Sequence, residues 1–228
     1  MKKKVFFAGM AAMVLSFGLT MAGCDNGTNN DSTGLTAPSA PSEVTATALS
    51  DVSISISWNA VYGATGYKVY YESGSSKSEQ TQIYDGTTSY TDTWLSDGET
   101  YSYSVTAINS AGESDFSESA SSTTPMATSV PPAPLELRAS YKGLLDGISI
   151  SWWREQRATR GYNLYYSETS ANGPYKKIQI VGQNDAFTNS ATIKSGFSMF
   201  KTYYFKVSAV NSYGESDLSY NTSVTTKM

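Results

Sequence analysis

An all-β chain of two consecutive β-sandwiches is what this sequence predicts. The prediction rests on short stretches in which apolar and hydroxyl residues alternate, on prolines gathered at two boundaries, and on a unit that occurs twice. A length of 228 residues allows one large domain or two small ones. With charged residues at 16% and tyrosine present 17 times, the composition is that of a β-rich globular protein whose surface carries Ser and Thr more than ion pairs. Histidine is absent, which removes imidazole as base or ligand and with it Ser-His-Asp, Cys-His and most zinc chemistry. The single cysteine cannot close an intramolecular disulfide.

The chain begins with an address. Lys2, Lys3 and Lys4 precede an apolar run from Val5 to Leu19, which ends at Met21-Ala22-Gly23-Cys24. A basic start, an apolar middle and small residues before a cut are the parts of a secretory signal. The competing reading is an uncleaved anchor helix. Val5 to Gly23 is 19 residues, just short of a full span, and Ser16, Gly18, Thr20 and Gly23 weaken its second half. Met21-Ala22-Gly23-Cys24 resembles the bacterial lipobox, with Met where Leu is commoner. That resemblance implies removal of residues 1–23 as a lipoprotein signal peptide and a diacylglyceryl thioether on Cys24, with further acylation holding the chain stably on a membrane. Asp25 resembles an inner-membrane retention signal whose rule varies between bacterial groups. Losing residues 1–23 leaves 13 basic against 20 acidic residues, a net charge of −7, so nucleic acid is not expected as a partner. Residues 24–37 read as a polar tether with a reach on the order of 20 Å. Its Asp and Asn residues do not meet the spacing of a calcium loop, and no metal or cofactor is expected.

Six of the seven prolines fall at two places, Pro38 and Pro41, then Pro125, Pro131, Pro132 and Pro134. Proline cannot donate to a sheet ladder and so collects at boundaries. The expected organisation is a first domain over 38–125, a linker over 126–130 that limits swing, and a second domain over 131–228. The two units match. Ser55-Ile56-Ser57-Trp58 returns as Ser149-Ile150-Ser151-Trp152, and Gly66-Tyr67 returns as Gly161-Tyr162. Thr100 to Ser117 returns as Thr202 to Ser219, with Gly112-Glu113-Ser114-Asp115 repeated as Gly214-Glu215-Ser216-Asp217. The offset grows from 94 to 102, placing insertions in loops around Ser170–Pro174 and Lys194–Gly196.

Within each unit the period is two. Val52, Ile54, Ile56 and Trp58 face one way, and Ser53, Ser55 and Ser57 the other. Tyr67, Val69 and Tyr71 point inward on the next strand, leaving Lys68 and Tyr70 outward. Tyr101, Tyr103, Val105 and Ala107 form the inward row of a later strand, repeated by Tyr203, Phe205, Val207 and Ala209. A slip of one residue would bury the serines, so the register is well specified.

Leu95-Ser96-Asp97-Gly98-Glu99-Thr100-Tyr101 resembles the tyrosine corner of a fibronectin type III domain, in which the phenol bonds back to the corner backbone. Trp58 and Gly66-Tyr67 add to the likeness. Tyr103 and Phe205 stand where an immunoglobulin domain has a disulfide cysteine, which favours the fibronectin relative. The second unit departs from the pattern, with Phe197 for leucine and Ser198-Met199-Phe200-Lys201 for the Asp-Gly turn before Tyr203. The resemblance implies two tandem fibronectin type III, immunoglobulin-like β-sandwiches.

No nucleophile motif or phosphate loop is present, and no catalytic residue is expected. Glu113, Asp115, Glu215 and Asp217 are the acids repeated in register. They are the only basis for an alternative reading as a small envelope carbohydrate-active enzyme, since paired carboxylates can hydrolyse glycosides. They also sit in what resembles the family's ordinary turn. Tyr70, Trp153, Tyr165 and Tyr204 are the aromatics expected to face outward, and they form the candidate binding surface. The expected function is a membrane-anchored, non-catalytic envelope lipoprotein that binds a protein or glycan partner or acts as a spacer. An accessory subunit of a larger surface assembly is a further alternative.

Overall fold

The computed structural model describes residues 35–181 and 189–227, among which every regular element is a β-strand. Cys24, the signal peptide and most of the tether lie outside the described residues. Residues Leu35–Met228 cluster as one compact unit that contains two hydrophobic cores.

The first sandwich starts with β1 (Thr45–Ser50), β2 (Ser53–Ser57) and β5 (Ser89–Thr93), which form one sheet in the order β1-β2-β5. The opposing sheet holds β4 (Ser76–Ile83), β3 (Gly66–Ser73) and β6 (Thr100–Asn109), with short β7 (Gly112–Glu113) and β8 (Ala120–Thr123) both on β6. All pairings are antiparallel. Alternation decides what is buried: Val52, Ile54, Ile56 and Trp58 lie inside, while Ser53, Ser55 and Ser57 do not. Tyr67, Val69, Tyr101, Tyr103, Val105 and Ala107 close the core from the opposite sheet. Tyr71 is only partly buried, packed against the edge of that cluster.

The second sandwich repeats the plan. β9 (Arg138–Gly143), β10 (Gly147–Ser151) and β13 (Ser190–Ile193) form a sheet in the order β13-β10-β9. Facing it are β12 (Lys176–Val181), β11 (Gly161–Ser167), β14 (Thr202–Val210) and β15 (Thr222–Thr225) in the order β12-β11-β14-β15. Its core gathers Ile148, Ile150, Trp152, Tyr162, Leu164, Tyr203, Phe205, Val207 and Ala209.

Both corners close in the same way despite their different sequences. Ser96 N–H donates to Tyr101 Oη at 2.8 Å, and Ser198 N–H donates to Tyr203 Oη at 2.7 Å. A threonine near each domain's end completes the corner: Thr124 Oγ1 donates to the Ser96 carbonyl and Thr226 Oγ1 to the Ser198 carbonyl, each at 2.6 Å. Gly98 N–H reaches the Thr124 carbonyl as Phe200 N–H reaches that of Thr226, both at 3.1 Å. Phe200 therefore occupies the position of Gly98, and both have positive φ, 55° and 71°.

Candidate functional site

The four aromatics expected to share a surface fall in three places. Tyr70 is on β3 in the first sandwich, half-buried and already engaged. Its hydroxyl donates to Glu113 Oε1 at 2.7 Å, and its ring meets Phe116 edge-on at 4.9 Å. Tyr165 and Tyr204 lie on the neighbouring strands β11 and β14 of the second sandwich. Tyr165 pairs with Lys206 and Tyr204 with Ser167, so both rings leave the same outer face. Trp153 does not join them. β10 ends at Ser151, and Trp153 follows it on the opposite sheet, 63% exposed, with its N–H on the Leu135 carbonyl at 3.0 Å.

On the outer face of the second sandwich, Tyr165 Oη donates to Glu215, which also accepts from Ser208 Oγ, while Lys177 Nζ lies 4.0 Å from Glu215 and 6.0 Å from the Tyr165 ring centre. Partial burial and the adjoining Glu215 carboxylate push the Tyr165 phenol up to about 12. Burial opposes ionisation of Glu215, but the hydrogen bonds from Ser208, Tyr165 and Asn163 outweigh it and hold the carboxyl below its usual range. Lys206 covers the Tyr175 ring at 5.1 Å. The face thus offers tyrosines interleaved with lysines, held in place by hydrogen bonds made within the sheet.

The repeated acids are explained by the same device. Glu113 accepts from Lys68 Nζ at 2.8 Å, Thr106 Oγ1 at 2.7 Å and Tyr70 Oη, as Glu215 accepts from Ser208 and Tyr165. Burial acts against the Glu113 charge, and these three donors more than offset it, lowering its pKa. Each glutamate fastens its own sheet, one in each sandwich, rather than pairing across a cleft. Ser114 and Ser216 have a similar task, their hydroxyls accepting from Ala107 N–H and Ala209 N–H at 2.9 Å.

A polar junction that the sequence pattern does not announce joins the two sandwiches. Asp97, read from sequence as a turn residue of the first corner, is 0% exposed. It accepts from Thr159 Oγ1 and Ser212 Oγ of the second sandwich and from Ala127 N–H of the linker at 3.2 Å. Burial disfavours its charge, yet these donors prevail and its pKa is lowered. Beside it Arg157 Nε and Nη2 reach Asp51 Oδ2 at 3.0 and 2.9 Å, and Arg157 Nη1 reaches Ser129 Oγ at 3.2 Å. Asn211 Nδ2 donates to the Ser129 carbonyl at 2.8 Å, and Arg154 lies 5.5 Å from the Trp94 ring centre. Sequence could have hinted at Thr159. The loop Val61–Ala64 matches Glu155–Ala158 through equivalent turn bonds, while Thr65 and Arg160 both reach the end of the next strand pair, so Thr159 is an extra residue in the second unit.

Residues 39–123 match the model of the fibronectin type III domain. The chain is 46% identical over 89 residues to a poly(3-hydroxybutyrate) depolymerase of Ralstonia pickettii, covering 39% of this chain and 17% of that protein. It is 29% identical over 189 residues to chitinase A1 of Niallia circulans, covering 78% of this chain and 24% of that protein. The chain thus spans only a minor part of these relatives. Among solved structures, the FN1–FN3 domains of chicken CNTN1 align over 85% of this chain and 67% of that chain, at 22% identity and a TM-score of 0.37. Residues 39–123 thus match a fibronectin type III domain, and the described residues form an all-β molecule of two sandwiches.

Proposed function

We propose that this chain is a non-catalytic spacer and binding module of the bacterial cell envelope, tethered to a membrane by lipid on Cys24. Its two sandwiches hold a protein or glycan partner away from the bilayer. The observation that carries this reading is the junction: buried Asp97, with donors from the linker and the second sandwich, ties the two sandwiches together. Sandwiches tied in this way keep a set separation between the two domains, and the Tyr165/Tyr204 face offers rings that a sugar or a protein can stack on. The catalytic alternative is weakened because Glu113 and Glu215 are each hydrogen-bonded within separate sheets. Similarity to a depolymerase and a chitinase covers 17% and 24% of those proteins and does not bring their activities with it.

The test is cell fractionation with fatty-acid labelling. The wild-type chain labels and sediments with membranes, whereas Cys24→Ser takes up no label. Wild type found unlabelled and soluble would overturn the anchoring. In pull-downs with envelope extracts and on glycan arrays, Tyr165→Ala/Tyr204→Ala should lose at least tenfold retention of whatever wild type holds; undiminished retention would clear that face of the role.

A further inference from the structure

We propose that the end of the first sandwich at which the chain enters it docks on the headgroup layer of the membrane. The proposal rests on the reading of Cys24 as lipid-bearing. Four segments meet at that end. The loop 61–65 is tied down by Val61 N–H donating to Tyr67 Oη at 2.8 Å and Thr65 N–H to the Ile108 carbonyl at 2.7 Å. The loop 84–88 leaves β4 just after Ile83, the partner of Tyr67, and returns at Thr88, whose carbonyl accepts from Trp58 N–H at 3.1 Å. Asn109 ends β6 and begins the turn 109–112. Its Nδ2 donates to the Gly63 carbonyl at 3.3 Å and to the Thr36 carbonyl at 2.8 Å, which fixes the entering chain at the same end.

The chemistry of this end suits a lipid interface. Tyr62 is 101% exposed, Tyr84 71% and Leu35 64%. Across 35–37, 59–65, 84–88 and 109–112 the one charged residue is Asp85, whose carboxylate accepts from Thr87 N–H at 3.0 Å. A phenol ring places its apolar body toward acyl chains and its hydroxyl among headgroups, and an end with a single charge loses little hydration there. The matching loop of the second sandwich shows the contrast. Glu155-Gln156-Arg157 stands where the first has Val61-Tyr62-Gly63, and Arg157 pairs with Asp51. The loop is charged where protein covers it and aromatic at the end that the entering chain leads to. Covalent reach supplies the occupant. Leu35 follows Cys24 by eleven residues, so at ~3.6 Å per residue this end lies within about 40 Å of the lipid. So short a link gives an effective concentration on the order of millimolar, at which weak insertion suffices. The other end of β6, at Thr100, adjoins the corner where Asp97 holds the second sandwich, so docking turns that sandwich away from the bilayer.

The experiment uses the chain from residue 24 onward, its one cysteine coupled in vitro to a single myristoyl-length alkyl chain, sedimented with phosphatidylcholine vesicles. One such chain holds only marginally, so any contribution of the protein surface shows in the partition coefficient. Wild type should partition at least tenfold more strongly than Leu35→Ser/Tyr62→Ser/Tyr84→Ser, and Tyr213→Ser/Tyr220→Ser, exposed on the second sandwich, should match wild type. Equal partitioning of wild type and the triple variant overturns the proposal. Because the lipid is attached chemically, that failure would leave acylation of Cys24 in cells untouched, and fatty-acid labelling decides the latter separately. Hydroxyl-radical footprinting locates the contact. On vesicles, oxidation of Tyr62 and Tyr84 should slow at least fivefold while that of Tyr220 keeps its rate. Equal slowing of all three overturns the proposal, as does slowing that appears without vesicles when protein concentration rises, which would assign this end to a second copy.

Discussion

The Tyr103 hydroxyl, buried in the first core, shows how one residue's chemistry is settled by its neighbour across the sandwich. It donates to Asp92 Oδ2 at 2.9 Å, with both side chains buried. The second unit has Phe205 and Ile193 at these places, so the polar pair has been exchanged for an apolar one as a set. Tyr103 follows the inward row that the alternation predicts, but its partner was not legible, because Asp92 is a charged residue at a buried position of the opposite sheet, where alternation predicts an apolar one. Removing one member of such a pair takes a buried hydrogen bond from the other, while replacing both in kind is close to neutral. Tyr103→Phe should therefore cost about 2 kcal/mol in denaturant unfolding, and Tyr103→Phe/Asp92→Ile should recover most of it. A double variant as unstable as the single would show that the aspartate has its own role.

At the scale of the element, the corner before β6 and the one before β14 show two sequences reaching one geometry. The tyrosine, its backbone donor and the closing threonine are common to both, and the apolar Leu95 is replaced by Phe197, whose ring packs edge-on to Tyr203 at 4.7 Å. The difference lies at the left-handed position, where Gly98 has φ 71° and Phe200 has φ 55°. A residue with a Cβ is disfavoured there by ~1 kcal/mol. Phe200→Gly should thus raise the unfolding free energy of the second sandwich by up to ~1 kcal/mol, read as a shift of the denaturant midpoint at unchanged slope. Gly98→Ala should do the reverse in the first sandwich through the same left-handed backbone, with the exposed Met126 side chain, whose Sδ stands 2.3 Å from the added Cβ, moving aside. The corner in the first unit was legible from its Leu, Asp-Gly and Tyr. The second was legible only by its place in the repeat, since backbone hydrogen bonds rather than side-chain identity define it.

For the whole molecule, the junction governs whether the two sandwiches move as one. Asp97 brings together the first corner, the linker and two loops of the second sandwich, and each of its donors would be left without an acceptor in Asp97→Ala. That substitution should cost roughly 3 kcal/mol of junction stability and open the linker around 125–131 to protease, with both cores still folded. The pH dependence follows from the lowered pKa of Asp97. A carboxyl whose folded value lies below its unfolded one adds stability that is fully present above the unfolded value, near 3.9, and is lost as pH falls through the folded value. Small-angle scattering should therefore show one compact shape from pH 7 down to about 4 and a broader distribution of domain angles below that. Asp97→Asn should remove this acid transition; an Asn variant that still opens at the same pH would assign the transition to another group.

The sequence alone determined the all-β class, the two-fold repeat, the inward rows and the corner tyrosines. These depend on period-two alternation and on local turn chemistry, which act between residues close in the chain. The tertiary structure decided which polar side chains are committed. Glu113 and Glu215 became fasteners of their sheets, Asp97 became the joint between the sandwiches, and Trp153 was separated from Tyr165 and Tyr204. Those outcomes depend on donors and acceptors brought together from distant segments, and alternation along one strand carries no information about what stands opposite its end.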